Sequence, residues 1–124
     1  MKIKKESLKK REQIISHKTS NAINVMLRKV VSLDEGTANF ADVKGYDVGG
    51  KTGTAQIAAA NYSQDAHNAI FVGIAPISDP RIVVAVIVNE PQGREYYGGQ
   101  VAAPIFASIA SRTLRLLGVA PDKI

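Results

Sequence analysis

The strongest pattern along the chain is a pair of apolar stretches, residues 68–76 and 81–89, which predict two β-strands. A short polar link with a proline, residues 77–80, joins them and is typical of a hairpin turn, so the two strands should be antiparallel. The second stretch is apolar at every position of residues 83–88 rather than at alternate ones. A strand of this kind needs cover on both faces of its sheet.

An amphipathic helix is predicted over residues 19–33. Thr19 or Ser20 can cap its start by accepting a backbone N–H bond, and Gly36 can end it by adopting a positive φ. A loop should follow to about residue 44. The apolar positions expected to face the core recur at i, i+3, i+4 and i+7 and comprise Ile23, Met26, Leu27 and Val30.

The last predicted element is a helix from about residue 100 to residue 117. Gly118 and Pro121 should end it. Pro104 is expected within about the first turn, where backbone donors are unpaired in any helix. The apolar positions expected to face the core follow helical spacing and comprise Ala102, Ile105, Phe106, Ile109, Leu116 and Leu117.

These elements, together with a glycine-rich third strand within residues 46–58, predict an α+β fold. The C-terminal helix should pack on one face of an antiparallel sheet of about three strands, with the short first helix preceding it. That first helix is tethered close to the glycine-rich segment, so the second face of the sheet has no obvious cover within 124 residues. We therefore expect the chain to be an incomplete domain or to dock on another polypeptide.

Composition narrows the class of protein and the chemistry open to it. The chain has 45% hydrophobic and 22% charged residues, which is typical of a globular domain or of part of one. It has no cysteine, which excludes disulfides and thiolate metal sites. Its two histidines, His17 and His67, lack metal-ligand spacing, so no metal or other cofactor is expected.

The net charge of +5 is concentrated at the N-terminus. Residues 1–12 hold six basic and two acidic side chains, whereas residues 13–124 hold ten and nine. We therefore separate residues 1–15, a basic segment, from residues 16–124. This segment has no aromatic side chains to stack on bases, so nucleic-acid binding is not favoured. No apolar run is long enough for a membrane span or a signal peptide, and the chain as written is expected to stay in the cytoplasm.

Candidate chemistry is concentrated in residues 45–56, which contain four glycines, one lysine and two threonines. Residues 45–52 match the phosphate-loop pattern G-x-x-x-x-G-K-[ST], in which backbone amides and the lysine hold phosphates. Such a loop must follow a buried strand and open a helix. Residues 39–44 are weak as a strand, however, and residues 53–54 are unfavourable for starting a helix. A nucleotide-binding phosphate loop is therefore a remote alternative.

A second interpretation places Lys51, Thr52, Gly53 and Thr54 on an edge strand beside a cleft. The lysine would raise the local potential and stabilise an anion. The glycine would leave room for a substrate to lie along the strand as an added strand. The two threonines can bind a carboxylate, and the Thr54 N–H can donate to an oxyanion.

Residues 45–56 resemble the third active-site motif of class B penicillin-binding proteins, the monofunctional peptidoglycan D,D-transpeptidases, of which Lys-Thr-Gly is one element. The resemblance covers residues 12–122 and is greatest to the division-specific septal transpeptidase. It implies a penicillin-binding enzyme of cell-wall cross-linking and a β-lactamase/transpeptidase-like fold. The stretches that carry it outside the motif are residues 26–31, 36–38, 71–76, 80–81, 89–91 and 96–106.

The resemblance also implies a role for each residue of the motif. Lys51 would hydrogen-bond a serine of the family's Ser-x-Asn element and hold the site positive. Thr52, Gly53 and Thr54 would form the substrate-binding part. The two threonines would bind the carboxylate of a D-Ala-D-Ala stem peptide or of a β-lactam, and the Thr54 amide would complete an oxyanion hole. Residues 96–99 would either border the cleft or serve turn and packing roles. No cofactor is implied.

Two other elements of the family are missing from the sequence. The family nucleophile is the serine of Ser-x-x-Lys, and the formal match at residues 7–10 lies in a lysine-rich segment, 44 residues before Lys51. No Ser-x-Asn occurs, and residues 37–39 are the nearest sequence. We therefore expect residues 16–124 to be the C-terminal part of a transpeptidase domain. It would be inactive alone, or completed by docking on a separately encoded N-terminal piece. The parent family is extracytoplasmic and anchored in the inner membrane.

Overall fold

The computed structural model describes residues 12–57 and 66–123. This part of the chain confirms the predicted α+β fold. A 3₁₀ turn occurs in the segment that was expected to be an irregular loop. In chain order the elements are helix α1 (His17–Ser32), the 3₁₀ turn (Asn39–Ala41), strands β1 (Gly49–Gln56), β2 (His67–Ala75) and β3 (Ile82–Asn89), and helix α2 (Gly98–Leu116).

The three strands form one antiparallel sheet in the order β1-β2-β3. In its register, Phe71 of β2 lies between Thr52 of β1 and Val86 of β3. The predicted β2–β3 hairpin is confirmed. Its two strands are rich in β-branched residues, which favour extended backbone, and the link between them contains a proline, which favours a turn.

Helix α2 packs on one face of the sheet. The ring centroids of Phe71 on β2 and Phe106 on α2 lie 5.0 Å apart. Gly50 and Gly73 are paired across β1 and β2 and leave the space that these rings occupy. A Cβ on Gly50 would overlap the Phe71 ring, and one on Gly73 would overlap the Phe106 ring. Other buried residues of the core are Val43, Tyr46, Val48, Ala69, Ala75, Ala102, Ala103, Ala110 and Leu114.

Helix α1 covers only the start of β1 on the opposite face. A Cβ on Gly49 would lie 2.9 Å from the backbone nitrogen of Arg28 and 2.9 Å from the carbonyl carbon of Leu27, so the helix backbone lies directly on this glycine. Farther along the same face, Val83 and Ile87 of β3 are 67% and 65% exposed. Within the described residues this face is uncovered over β3, as expected because the sequence offers no second element to cover it.

The start of α1 differs from the prediction. The helix begins at His17, and Ser16 caps it, because the Ser16 hydroxyl accepts a hydrogen bond of 3.1 Å from the Thr19 N–H. Capping by Thr19 or Ser20 is wrong, since both residues lie inside the helix. The sequence offers several hydroxyl side chains close together here, and propensity alone did not select the right one.

The predicted apolar face of α1 is confirmed only in part. Leu27 and Val30 are half-buried, and Val30 packs against the core. Ile23 and Met26 are 41% and 64% exposed, whereas Val31, which was not in the predicted stripe, is buried. The helix turns the side that carries Arg28 towards β1, and a charged residue does not count towards an apolar stripe.

Gly36 has a different role from the one expected. The glycines with positive φ in the described residues are Gly45, Gly93 and Gly118, and Gly36 is not among them. A Cβ on Gly36 would overlap the carbonyl oxygen of Val30. The residue therefore lets the chain turn back closely against the last turn of α1.

The core face of α2 needs a similar correction. The helix begins at Gly98, so Pro104 lies in the helix interior rather than in the first turn. Four residues of the predicted stripe are exposed, namely Ile105, Ile109, Leu116 and Leu117. Ala102 and Phe106 of the stripe are buried as predicted, and the other buried positions are Gly98, Gly99, Ala103, Ala110 and Leu114. These small residues let the helix approach the sheet closely, but they carry a weak hydrophobic signal.

The predicted end of α2 is confirmed. Gly118 adopts a φ of +66°, a conformation that favours glycine. The Val119 N–H donates to the Leu114 carbonyl oxygen over 3.0 Å, which is the hydrogen bond of a Schellman motif. Pro121 follows shortly after it, where it cannot interrupt the helix.

The N-terminal segment contributes little to the described structure. Of residues 1–15, the first eleven lie outside the described residues, and residues 12–15 carry no regular secondary structure. The boundary between residues 1–15 and 16–124 therefore stays a prediction. In the described part of the chain, no helix combines the length and apolarity that a membrane span requires.

Candidate active-site strand

The Lys-Thr-Gly-Thr segment lies in the middle of β1, at one edge of the sheet. Side chains alternate along a strand. Lys51 and Gly53 therefore point to the face opposite α2, whereas Thr52 and Thr54 point towards α2. The lysine and the two hydroxyls approach the edge of the strand from opposite faces.

Thr52 and Thr54 direct their backbone groups away from β2. The Ile57 N–H donates to the Ala66 carbonyl oxygen over 2.8 Å, so these two residues form a hydrogen-bonded pair of the ladder. Bonded and non-bonded pairs alternate in an antiparallel sheet, which assigns the odd-numbered residues of β1 to bonded pairs. The N–H and C=O groups of both threonines therefore point to the outer edge. An extended peptide can form hydrogen bonds with these donors and acceptors and so add a strand to the sheet.

The exposed Lys51 side chain bends round the strand to the same edge. Its Nζ donates to the Thr52 carbonyl oxygen over 2.8 Å and lies 3.5 Å from Thr52 Oγ1. The ammonium charge thus lies where the Thr52 carbonyl and the Thr54 N–H point. A cation in this position stabilises negative charge on a group bound along the strand.

The two threonines line a cavity of about 410 Å³ between β1 and the start of α2. The Gly98 N–H donates to Thr54 Oγ1 over 3.4 Å, and Thr37 Oγ1 lies 3.4 Å from Thr52 Oγ1. The N-terminus of a helix carries partial positive charge, so hydroxyl groups and a helix terminus together favour an anion here. The lining is completed by Gly36, Asn39, Phe40, Tyr97, Gly99 and Gln100.

Two glycines allow α2 to begin so close to β1. A Cβ on Gly98 would overlap the carbonyl oxygen of Ile70 and would lie 2.6 Å from that of Gly53. A Cβ on Gly99 would overlap the carbonyl oxygen of Thr37. Of residues 96–99, Tyr97, Gly98 and Gly99 border the cavity, and the two glycines also pack closely against neighbouring backbone, so both of the roles considered for this stretch occur.

Arg28 fixes the segment that leads into β1. Its Nη1 lies 3.2 Å from Asp42 Oδ1 and 3.0 Å from the Val48 carbonyl oxygen, and its Nη2 lies 3.0 Å from Asp47 Oδ1. The side chain is only 20% exposed. We call Arg28, Asp42, Asp47 and Val48 the Arg28 brace. It ties the middle of α1 to the residues immediately before Gly49, where β1 begins.

The last described residues reinforce the same segment. The Asp47 N–H donates to Asp122 Oδ1 over 2.8 Å, and the Tyr46 hydroxyl donates to the Val119 carbonyl oxygen over 2.7 Å. Lys123 Nζ lies 2.7 Å from Asp42 Oδ2. The approach to the Lys-Thr-Gly-Thr segment is thus held from both sides, by α1 and by the C-terminal tail, residues 119–123.

Sequence reasoning missed Thr37, Phe40 and Arg28. Thr37 and Phe40 line the cavity, but neither belongs to a motif with a chemical signature. Arg28 meets Asp42 across 14 residues of sequence, and such a contact becomes visible only once the chain is folded.

The phosphate-loop interpretation is wrong. Gly49, Gly50, Lys51 and Thr52 are paired residues within β1, and the strand continues to Gln56. A phosphate loop requires an open loop that leads into a helix at these positions. The backbone amides that would surround a phosphate are instead part of the edge of a sheet.

Comparison with known families identifies similar proteins. The family model described as the penicillin binding protein transpeptidase domain matches residues 1–111. Stage V sporulation protein D of Bacillus subtilis is 46% identical over 122 residues, which are 98% of this chain and 19% of that protein. Peptidoglycan D,D-transpeptidase FtsI of Escherichia coli is 37% identical over 101 residues, which are 81% of this chain and 17% of that protein.

Solved structures agree with these relatives. The transpeptidase domain of penicillin-binding protein 3 from Burkholderia pseudomallei has a TM-score of 0.77 and 45% sequence identity, over 86% of this chain and 32% of that one. A peptidoglycan glycosyltransferase from Burkholderia ambifaria has the same TM-score of 0.77 and 39% identity, over 95% of this chain and 35% of that one. The chain therefore spans about a third of each of these solved structures and 19% of the length of the B. subtilis relative.

Proposed function

Because the chain belongs to the penicillin-binding protein transpeptidase domain family, we propose that it forms the substrate-binding wall of a peptidoglycan D,D-transpeptidase active site. One observation carries this proposal. Lys51 Nζ, the Thr52 carbonyl and the Thr54 N–H meet at the outer edge of β1, beside a cavity lined by threonines. The substrate is a peptidoglycan stem peptide ending in D-Ala-D-Ala, and a β-lactam binds in its place.

The substrate backbone lies along β1 as an added strand and bonds to the outward groups of Thr52 and Thr54. Its terminal carboxylate is bound by the two threonine hydroxyls, with the N-terminus of α2 and the Lys51 ammonium contributing favourable charge. Two distances support this role. Gly98 N lies 3.4 Å from Thr54 Oγ1, and Thr37 Oγ1 lies 3.4 Å from Thr52 Oγ1. These hydrogen bonds are long and leave the hydroxyls able to turn towards a ligand.

The reaction needs a nucleophile from outside this chain. A serine oxygen attacks the carbonyl carbon between the two D-alanines, and the Thr54 N–H donates to the carbonyl oxygen as it becomes negative. The peptide bond then breaks, the terminal D-Ala leaves as a protonated amine, and the remaining peptide is held on the serine as an ester. The amine of a second stem peptide displaces the serine and forms the cross-link. In this proposal the chain alone binds substrate weakly and does not react.

The test combines this chain with a separately expressed N-terminal remainder of the transpeptidase domain from the B. subtilis relative. A fluorescent penicillin followed by denaturing electrophoresis reports a covalent adduct. We expect no adduct with this chain alone, an adduct with the pair, and loss of that adduct with Lys51→Ala. Lys18→Ala, at an exposed position of α1, is the matched control and should leave the adduct unchanged. An adduct with this chain alone would contradict the proposal that it is inactive by itself. An unchanged adduct with Lys51→Ala would contradict the proposed role of Lys51 in the site.

A second candidate function is docking, in which this chain completes an enzyme whose N-terminal piece is a separate polypeptide. The uncovered apolar surface favours it, since Val83 and Ile87 on the sheet and Met26 on α1 are mostly exposed. Exposed apolar patches of this kind mark contact surfaces. Co-elution of the two pieces in size-exclusion chromatography is the expected result, and separate elution at every mixing ratio would count against docking.

A further inference from the structure

The chain turns back on itself shortly after α1, and this turn, residues 36–39, forms part of the lining of the cavity beside β1. The last carbonyl oxygens of a helix have no partner within the helix itself. Here the turn supplies one, since the Ala38 N–H donates to the Val30 carbonyl oxygen over 3.2 Å. Ala38 is also buried. The turn is therefore seated on the end of α1.

Asn39 adds a side-chain contact to this seating. Its Nδ2 lies 3.3 Å from the Val31 carbonyl oxygen and 2.5 Å from that of Leu33. Both partners are carbonyl oxygens, which only accept, so the amide nitrogen and not the amide oxygen must face them. One amide group thus bonds residues 36–39 to the last turn of the helix, and an aliphatic side chain of the same size could form neither bond.

Thr37 connects the same turn to the opposite side of the cavity. A Cβ on Gly99 would overlap the Thr37 carbonyl oxygen, so the start of α2 lies directly on its backbone. Thr37 Oγ1 lies 3.4 Å from Thr52 Oγ1 on β1. Thr37 belongs to no strand, so the pairing between β1 and β2 does not fix this distance. The distance depends instead on how the turn is seated on α1.

The contact with Thr37 determines which way the Thr52 hydroxyl donates. Lys51 Nζ lies 3.5 Å from Thr52 Oγ1, and an ammonium group can only donate. Since the Thr52 oxygen accepts from Lys51, its own hydrogen is the one available to Thr37 Oγ1. Both threonines line the cavity, so this contact keeps the hydrogen on the cavity side of β1. A carboxylate in the cavity, which only accepts hydrogen bonds, would receive it there.

We propose that Asn39 is a positioning residue for carboxylate recognition. It holds the turn on α1, the turn holds Thr37 against Thr52, and Thr37 keeps the Thr52 hydroxyl directed towards the carboxylate of a stem peptide or a β-lactam. Asn39 acts through Thr37, because its own amide nitrogen is used by the two helix carbonyls. The inference rests on the proposed transpeptidase function and adds to it a residue from outside the Lys-Thr-Gly-Thr segment.

Acylation of the reconstituted pair of polypeptides tests this role. Asn39→Leu keeps the size of the side chain and removes its donor. We expect acylation by a penicillin at low concentration to slow by about 3–10-fold, the effect of one hydrogen bond. The rate at saturating penicillin should stay unchanged, since the loss falls on binding, and acylation by the penicillin's methyl ester should change much less. Asn21→Leu, the same substitution at an exposed position of α1, is the matched control. An equal loss for both ligands would overturn the proposal.

A double substitution shows whether Asn39 acts through Thr37. Thr37→Val removes the hydroxyl that contacts Thr52, and it should slow acylation by the penicillin to a similar extent. Adding Asn39→Leu to Thr37→Val should then slow the reaction no further, because residues that act as one unit are not additive. A further loss as large as that of Asn39→Leu alone would mean that Asn39 contacts the ligand directly, and it would overturn the positioning role.

Amide hydrogen exchange in the 124-residue chain alone separates this inference from the proposed function. In Asn39→Leu the Ala38 N–H should exchange about 3–10-fold faster, since the turn is held by one contact fewer. The amides of the central strand β2 should be unchanged, which shows that the variant is folded. An unchanged Ala38 rate would overturn the inference by itself. No adduct with the unmodified pair would overturn the proposed function together with this inference, whereas an adduct with a carboxylate preference that Asn39→Leu leaves intact would overturn this inference alone.

Discussion

Arg28 Nη2 lies 3.0 Å from Asp47 Oδ1, which joins the middle of α1 to the residue two places before β1. The same guanidinium reaches Asp42 and the Val48 carbonyl oxygen. One side chain thus fixes both the helix and the entry to the Lys-Thr-Gly-Thr segment. The brace adds to the pairing with β2 that holds this strand, which contains three glycines, a residue that weakens a strand by itself.

Removing the brace should destabilise the fold. Arg28→Ala deletes hydrogen bonds to two carboxylates and a carbonyl oxygen, and we expect the free energy of unfolding to fall by about 1.5–3 kcal/mol. Urea denaturation followed by circular dichroism measures the change. Arg112→Ala, at an exposed position of α2, is the control and should change the value by less than about 0.5 kcal/mol. Equal effects of the two substitutions would show that the brace contributes nothing specific.

The start of α2 should not tolerate a methyl group. In Gly98→Ala the new Cβ overlaps the Ile70 carbonyl oxygen, so the helix must move away from β1. We expect a loss of about 1–3 kcal/mol in the free energy of unfolding. Gln100→Ala lies in the same turn but is exposed, and it should have little effect. A fully stable Gly98→Ala variant would mean that α2 does not lie on the strand as described.

The cap of α1 can be tested with two serines four residues apart. Ser16→Ala removes the hydroxyl that accepts the Thr19 N–H, and it should cost about 1 kcal/mol. Ser20→Ala lies inside the helix and should be neutral or slightly stabilising, because alanine is the better helix former. Thermal unfolding of both variants measures the difference. A larger loss of stability for Ser20→Ala than for Ser16→Ala would instead support Ser20 as the cap, one of the two residues that the sequence pattern favoured.

The proposed binding of a carboxylate by Thr52 predicts a change in ligand preference. In the reconstituted pair of polypeptides, Thr52→Val removes one hydrogen bond to a charged group, worth about 1.5–3 kcal/mol. Acylation by a penicillin should therefore slow by about 10–100-fold at low concentration, as these energies imply. Acylation by the penicillin's methyl ester, which has no carboxylate charge, should change much less. Thr113→Val on α2 is the control, and an equal loss for both ligands would argue against carboxylate binding.

The sequence predicted the sheet well and the helix faces poorly. The β2–β3 hairpin rests on consecutive β-branched residues and a proline link, which act over a few neighbouring positions. The face of α2 depends on what it meets across space. Its buried positions include alanines such as Ala103 and Ala110, whereas Ile105 and Ile109 are exposed. A count of large apolar side chains therefore selects several positions that are exposed, although Phe106 is buried as predicted.

The candidate site was only partly predictable from the sequence, and the reason is similar. Lys51, Thr52 and Thr54 lie in one contiguous motif, so their strand and their alternation follow from local sequence. The cavity beside them is formed by Thr37 and Gly98, which come from two distant segments. The Arg28 brace likewise joins residues far apart in sequence. Features of this kind depend on the folded arrangement and leave no local pattern.

The tail contacts set an order of events during synthesis. Tyr46 and Asp47 leave the ribosome well before their hydrogen-bond partners Val119 and Asp122, which follow 73 and 75 residues later in the chain. Until the tail has emerged from the exit tunnel, the entry to β1 lacks these bonds. The entry to the wall that would hold the substrate therefore gains its tail contacts only after residues 119–122 have been made, although the wall's own residues are made much earlier.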